Sequence, residues 1–132
     1  MEKDWKYYYD EGLKFGETAR RSIEKKEKFN NELVYNVASL SIERLFLSIF
    51  LYHNKLPQLD TIGGMARELC DFVVVDRGFM DEVRFISRFN YYCSLEFEAP
   101  RIPDDTQILR ILDFINDVIE FTNRQIYTEV AV

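Results

Sequence analysis

Apolar residues that return every three or four positions are the feature that most constrains how this chain can fold. The clearest series follows Asp104 and consists of Ile108, Ile111, Leu112, Ile115, Val118, Ile119, Thr122 and Ile126. This spacing is typical of a helix that buries one face. Asp104 and Gln107 have the form of a capping box, which predicts that the helix begins there. A stripe of this length has to be covered by other elements, and helical patterns elsewhere in the chain can supply them.

A first helix is predicted from about Asp4, which can cap it, to Lys28. Its apolar face also carries small residues, at Gly12, Gly16 and Ala19. Because small side chains let backbones come together, this face predicts a close approach to a second helix.

A second helix is predicted behind Asn30 and Asn31, ending at about Tyr52. Its apolar stripe is wide, so we expect it at the centre of the molecule. The stripe comprises Leu33, Val34, Val37, Ala38, Leu40, Ser41, Leu45, Phe46, Ile49 and Phe50.

Two further helices complete the predicted fold. A short one starts at Asp60 or Thr61 and runs to about Asp71, and a longer one covers roughly 78–90. The run 72–75 is β-branched and locally strand-like, but no second strand candidate exists to pair with it, so we assign it to a helix end and a connection. No internal repeat or coiled-coil heptad series is evident. The expected fold is all-α: an antiparallel up-and-down bundle of four long helices and one short helix, forming one domain over 1–132 with an ordered core of about 4–127.

Charge and hydropathy restrict the function classes. The formal net charge of −6 disfavours nucleic-acid binding by bulk electrostatics, although a local basic patch is compatible with it. The N-terminus has no apolar signal-like region, and the stretch from Leu45 to Tyr52 is far shorter than the ~20 residues of a membrane span. We therefore expect a soluble cytoplasmic protein without a membrane segment.

The sequence carries few groups suited to metal or redox chemistry. Cys70 and Cys93 sit in apolar stretches and are expected to be buried, reduced thiols. His53 is the single histidine, which argues against a zinc site of the usual Cys/His type. No phosphate-binding glycine loop and no Glu-x-x-His pair is present. We expect no metal and no cofactor.

Four segments together resemble the HEPN domain, a family of small helical bundles. These are LSIERLFLSIFLYHNKLP (40–57), LDTIGGMAREL (59–69), RFNYY (88–92) and DDTQILRILDFINDVIEFTNRQI (104–126). The resemblance implies a homodimer. It also implies either a metal-independent ribonuclease, or a non-catalytic module that binds a nucleotide or RNA or pairs with a nucleotidyltransferase in a toxin–antitoxin-like system.

The ribonuclease members of that family use an arginine followed, after four to six residues, by a histidine. Here Arg44 precedes His53 by nine positions, about two and a half helical turns, which places the two side chains on nearly opposite faces. Arg88 is followed by no histidine. The expected function is therefore a non-catalytic binding or partner module. A divergent metal-independent ribonuclease and a plain protein-interaction bundle without a small ligand remain alternatives.

The candidate ligand-binding residues are Arg84, Arg88, Asn90 and Tyr91. The two arginines are one turn apart and are either ion-paired surface residues or a phosphate-binding pair, since guanidinium groups suit bidentate contact with phosphate. The run Tyr7–Tyr9 is more aromatic than one buried face requires, so at least one ring is expected to be exposed at a protein interface.

Overall fold

A computed structural model describes residues 4–25, 30–90 and 102–127, and every regular element among them is helical. The five α-helices are α1 (Trp5–Ser22), α2 (Asn31–Tyr52), α3 (Ile62–Leu69), α4 (Arg77–Ser87) and α5 (Asp105–Tyr127). One 3-10 turn, Ile23–Lys25, follows α1, and another, Arg88–Asn90, follows α4. The expectation of an all-helical chain is confirmed over the described residues.

Each helix begins at a side-chain cap that the sequence offers. The capping oxygen accepts a hydrogen bond from the backbone N–H three residues later, which satisfies a donor that the helix leaves open. The caps of α1 to α5 are Asp4, Asn30, Thr61, Asp76 and Asp104. The capping box is reciprocal, because the Gln107 side chain also accepts from the Asp104 N–H at 2.9 Å.

Replacing Asp104 by alanine should lower the free energy of unfolding by about 1 kcal/mol, because the Gln107 N–H in the first turn of α5 loses its acceptor. Urea unfolding followed by far-UV circular dichroism measures this change. Asp104→Asn is the matched control, since asparagine is an equally good cap; an equal loss in both variants would contradict the capping role.

The central position predicted for α2 is confirmed. This helix packs against α1, α3 and α5. It also reaches α4, where the Tyr35 hydroxyl donates to the Ile86 carbonyl at 2.8 Å. Ile42, Leu45, Phe46 and Ile49 are fully buried. The free energy gained by covering these side chains outweighs the modest helix propensity of the β-branched and aromatic residues in α2.

By length and composition α2 could also cross a membrane. In the bundle, however, 61% of that apolar window is buried, as in the core helix of a folded domain. The cytoplasmic location therefore stays a prediction.

Contacts between the helices define their relative directions. As α1 proceeds toward its C-terminus, it faces residues of α2 that come progressively earlier in the chain. Trp5 lies against Tyr52, and Gly16 lies against Ser41. These two helices therefore run in opposite directions. The side chains of α4 pair with α5 in the same descending order, from Phe79 against Phe121 to Phe85 against Arg110.

The exposure of Cys70 differs from the sequence-based expectation. Cys70 is a free thiol, as predicted, but it is exposed rather than buried. Leu69 occupies the buried position at the end of α3, and the next residue is turned about 100° away from it. Cys93 lies outside the described residues. The strand-like run 72–75 forms the connection between α3 and α4, anchored by Phe72 against Phe50.

Candidate functional site

The structure describes the side chains of only two of the four residues in the predicted ligand site, Arg84 and Arg88. Arg84 and Arg88 both lie on the exposed side of α4 and the turn that follows it. The Arg84 Nη1 atom is 2.6 Å from the Asp81 Oδ1 atom, and these side chains are 65% and 59% exposed. Asn90 ends the turn, but its side chain lies outside the described part, as does Tyr91. The structure therefore shows Arg84 in a solvated ion pair, and ligand binding at these four positions stays a prediction.

A groove lies between the end of α1 and the beginnings of α2 and α5. Its walls are mainly apolar, with Ile23, Val34 and Leu109 among them. At its rim the Asn31 side-chain amide donates to the Pro103 carbonyl at 3.0 Å and to Asp105 Oδ1 at 2.9 Å. These bonds tie α2 to the start of α5, so the polar groups at the rim serve the packing of the helices.

A second cavity, an acidic cleft, lies between the beginning of α4 and the second half of α5. Phe79 and Phe114 form its apolar floor, with ring centroids 4.9 Å apart. Its carboxylates are Asp76, Glu82, Asp117 and Glu120. Asp76 already caps α4, and Glu82 already pairs with Arg110 at 2.7 Å. The lining also includes one cation, Arg124, but the four carboxylates outnumber it, so the cleft disfavours phosphate groups.

Burial, together with the neighbouring carboxylates Glu120, Glu82, Asp113 and Asp76, raises the pKa of Asp117 above 3.8. The folded chain thus holds this proton more tightly than the unfolded chain. The contribution of Asp117 to stability is therefore fully present at pH values below the pKa of this group in the unfolded chain. It is lost as the pH rises through the raised pKa of the folded chain.

We expect Asp117→Asn to be slightly more stable than the natural chain at pH 7 and equal to it near pH 3. The gain should not exceed about 0.5 kcal/mol, because Asp117 is largely exposed and water screens its neighbours. Thermal unfolding at several pH values measures the difference. Asp71→Asn, at an exposed carboxyl on the connection after α3, serves as the control. If Asp117→Asn gained as much stability at pH 3 as at pH 7, the charge-based cause would be contradicted.

Arg110 shows how a close pair of opposite charges between α4 and α5 is built. Its guanidinium contacts both carboxylate oxygens of Glu82 and lies 3.7 Å from the centroid of the Phe85 ring. The Glu82 hydrogen bond raises the pKa of Arg110, so the group is a fixed cation. Its donors face a carboxylate and an aromatic ring, and it positions α4 on α5.

His53 and Arg44 lie in different surroundings. His53 ends α2, with its ring against Tyr52 at 5.3 Å and Phe72 at 5.2 Å between centroids. Arg44 points to α1, where its guanidinium carbon is 5.6 Å from the centroid of the Tyr8 ring. The arrangement agrees with the expected separation of the two side chains on α2. Arg44 and His53 therefore do not form the pair of a cation and a proton-transfer group that metal-independent RNA cleavage requires.

A row of partly exposed residues runs along α2, and we name it the α2 stripe. It consists of Leu33, Val37, Leu40, Arg44, Leu47 and Leu51. Leu33 and Leu40 are 40% and 37% exposed, and the others are half-buried. Leu33 and Leu40 were expected in the apolar stripe of α2, but they are exposed, whereas Val37 packs against the core and Arg44 lies against Tyr8 of α1. Clustered leucines at a surface are typical of a site that contacts another macromolecule.

The α2 stripe was missed in the sequence because both faces of α2 are apolar. The buried series and the exposed series overlap, so the helical pattern reads as one wide stripe. Only after the buried residues are removed does the spacing of four, three, four, three and four emerge. These six positions follow heptad spacing over fewer than about three repeats, which is shorter than the three to four repeats that define a coiled-coil series.

Arg44 is the one charged member of the α2 stripe. Its Nε atom is shielded from solvent and has no hydrogen-bond partner within the described ranges. The nearest carboxylate atom in an ion pair is Glu11 Oε1, at 3.5 Å, beyond the usual N–H···O distance. Next to it, burial raises the pKa of Glu43, with Asp60 adding to the effect and Arg44 opposing it. The surface thus carries a shielded donor beside a partly desolvated carboxyl group.

Within the ranges 4–25, 30–90 and 102–127, no group of three or more His, Cys, Asp or Glu residues could hold a metal ion. Comparison of the chain with protein-family models, with curated protein sequences and with solved structures finds no significant match. The HEPN resemblance therefore rests on the four sequence segments alone.

Proposed function

We propose that this chain is a non-catalytic protein-interaction module, an antiparallel HEPN-like bundle that binds its partner through the α2 stripe. The observation that carries the proposal is the row of partly exposed leucines on the central helix. Leaving these side chains in water costs free energy that a protein partner could recover by covering them, at about 25 cal/mol per Å² of apolar surface. A cytoplasmic location is part of the proposal.

The chemistry of the remaining surface supports an interaction module over an enzyme. Arg84 is held in a solvated ion pair, and His53 is packed between aromatic rings away from Arg44. The acidic cleft repels phosphate. A nucleotidyltransferase, which the HEPN resemblance suggests as a partner, is one protein that could occupy the α2 stripe.

Site-specific photo-crosslinking in cells tests the proposal. A photo-reactive amino acid replaces Leu40 in the full chain, and in a control chain it replaces Leu109, which is 54% exposed on α5. We expect a protein adduct from position 40 that disappears when Leu33→Glu is added, and none from position 109. Equal adducts at both positions, or none at either, would overturn the α2 stripe as the docking surface.

Nucleotide or RNA binding is the competing outcome, and a thermal-shift screen addresses it. A ligand that binds only the folded state raises the free energy of unfolding by RT ln(1 + [L]/Kd), and the melting temperature rises with it. We expect no shift with nucleotides and no metal-independent RNA cleavage. Arg88→Ala is the test variant, and Arg67→Ala, on the exposed face of α3, is its control. A thermal shift or a cleavage activity that is lost in Arg88→Ala but kept in Arg67→Ala would overturn the proposed function. It would favour the nucleotide-binding or the ribonuclease alternative instead.

A further inference from the structure

Negative charge outweighs positive charge around the middle of the α2 stripe. Glu43 comes three residues after Leu40 and four residues before Leu47, so on the helix surface it is a neighbour of both leucines. Asp60, in the connection before α3, is close enough to Glu43 for its charge to add to the raised pKa of that carboxyl, which is caused mainly by burial. The α2 stripe is therefore bordered on the side of α3 by carboxylates.

Arg44 does not balance these carboxylates. Its guanidinium is already engaged by α1, where Glu11 Oε1 lies 3.5 Å from Nε and the Tyr8 ring lies beneath the guanidinium carbon. Among the described charges it is the one that opposes the raised pKa of Glu43. One cation thus faces three carboxylates, and neither Glu43 nor Asp60 has a hydrogen bond or an ion pair within 4–25, 30–90 and 102–127.

The apolar part of the α2 stripe indicates the backbone conformation of the partner. Leucine side chains offer no hydrogen-bonding groups, so a backbone laid across them has to satisfy its own N–H and C=O groups, as a helix does. A helix that binds in this way presents apolar residues at spacings of three and four. From Leu33 to Leu51 the α2 stripe is about 27 Å long, which a partner helix of about 18 residues would cover.

We infer that the α2 stripe binds an amphipathic helix of another protein, with a lysine or arginine beside its apolar face that meets Glu43 and Asp60. This inference rests on the proposed function and names the chemistry of its partner. A helix that covers Leu40 and Leu47 also covers Glu43, and a carboxylate buried without a cation is costly. The net charge of −6 attracts a basic partner, whereas a second copy would bring the same excess of carboxylates.

Two synthetic helical peptides test the chemistry of the partner. Both are about 20 residues long and carry leucines at spacings of three and four; one has lysines beside the leucines, and the other has glutamates at the same positions. In fluorescence anisotropy with the full chain at about 0.1 M salt, the lysine peptide should bind at least about tenfold more tightly. The preference should shrink at about 1 M salt, where charges are screened within about 3 Å. Equal binding of the two peptides, or binding of neither, would overturn the inference.

Charge substitutions locate the preference on the surface. Glu43→Lys should remove it, and Glu43→Gln, which keeps the size of the side chain, should reduce it. Asp113→Lys changes the net charge by the same amount as Glu43→Lys, but at an exposed position of α5, and should keep the preference. A preference that survives Glu43→Lys, or that Asp113→Lys reduces equally, would assign the binding to net charge and overturn the inference.

The leucine contact and the alternative occupants have their own readouts. Leu40→Glu should weaken binding of the lysine peptide by about 30-fold, while Leu109→Glu leaves it unchanged. A protein adduct from position 40 in cells, without a preference for the lysine peptide, would overturn the basic partner and leave the interaction function standing. A dimer in sedimentation that Leu40→Glu dissociates would place a second copy on the α2 stripe and also overturn the basic partner. Absence of any adduct from position 40 would overturn both proposals.

Discussion

Replacing Phe46 by alanine should lower the free energy of unfolding by about 3–5 kcal/mol, the largest loss that we expect from a single substitution. Phe46 is fully buried, and its ring lies 6.2 Å from that of Phe79. Phe79 in turn contacts Phe114 and Phe121 of α5. The aromatic cluster joins three helices, so its loss removes buried surface and leaves a cavity that rigid helices cannot close.

Urea unfolding at one fixed protein concentration measures the effect of Phe46→Ala. Leu109→Ala, at an exposed position of α5, is the control and should stay within about 0.5 kcal/mol of the natural chain. Because small domains are stable by only about 5–15 kcal/mol, the Phe46 variant should also melt at a clearly lower temperature. A loss below about 1 kcal/mol would contradict the placement of this ring at the meeting point of α2, α4 and α5.

Replacing Gly12 by alanine should destabilise the chain although alanine is the better helix former. A Cβ atom at Gly12 would lie 2.6 Å from Leu45 Cγ and 3.2 Å from the Leu45 backbone nitrogen. Overpacking of this kind costs about 1–3 kcal/mol, against about 1 kcal/mol gained in helix propensity. The Ser41 hydroxyl also donates to the Gly12 carbonyl at 2.7 Å, a bond that requires the same close approach. We expect a net loss of up to about 2 kcal/mol.

The same substitution at Gly78 provides the control. There the nearest neighbour of a new Cβ atom is Asp76 Oδ1 at 3.4 Å, an ordinary contact, so Gly78→Ala should be neutral or stabilising by up to about 1 kcal/mol. A double-mutant cycle locates the cause. In a Leu45→Ala background Gly12→Ala should cost much less, with a coupling of about 0.5–3 kcal/mol. Additive effects would show that Gly12 is needed for another reason.

Much of the helical architecture was predictable from local signals. The caps Asp4, Asn30 and Asp104 and the small-residue face around Gly12 act within a few residues or one helix face, so the sequence displays them directly. The β-branched run 72–75 was assigned to a connection because no second strand could pair with it. Helix ends were less predictable, and α3 and α4 end earlier than expected because packing, rather than propensity, decides where a short helix stops.

The candidate site was far less predictable. Arg84 and Arg88 were selected for the chemistry of their side chains, but whether arginines form a binding site depends on which groups the fold brings beside them. Asp81, one turn away, engages Arg84. The exposure of Cys70 likewise depends on which residue at the end of α3 turns inward.

What the sequence by itself determined about this protein is that its chain forms helices with apolar faces and where most of them begin, since both properties come from side chains close together along the chain. Only the tertiary structure decided which apolar face of α2 is covered. Burial is a property of the assembled bundle. Helices α1, α3 and α5 cover one side of α2 and leave Leu33 and Leu40 facing outward, although both faces of α2 consist of the same kinds of residue.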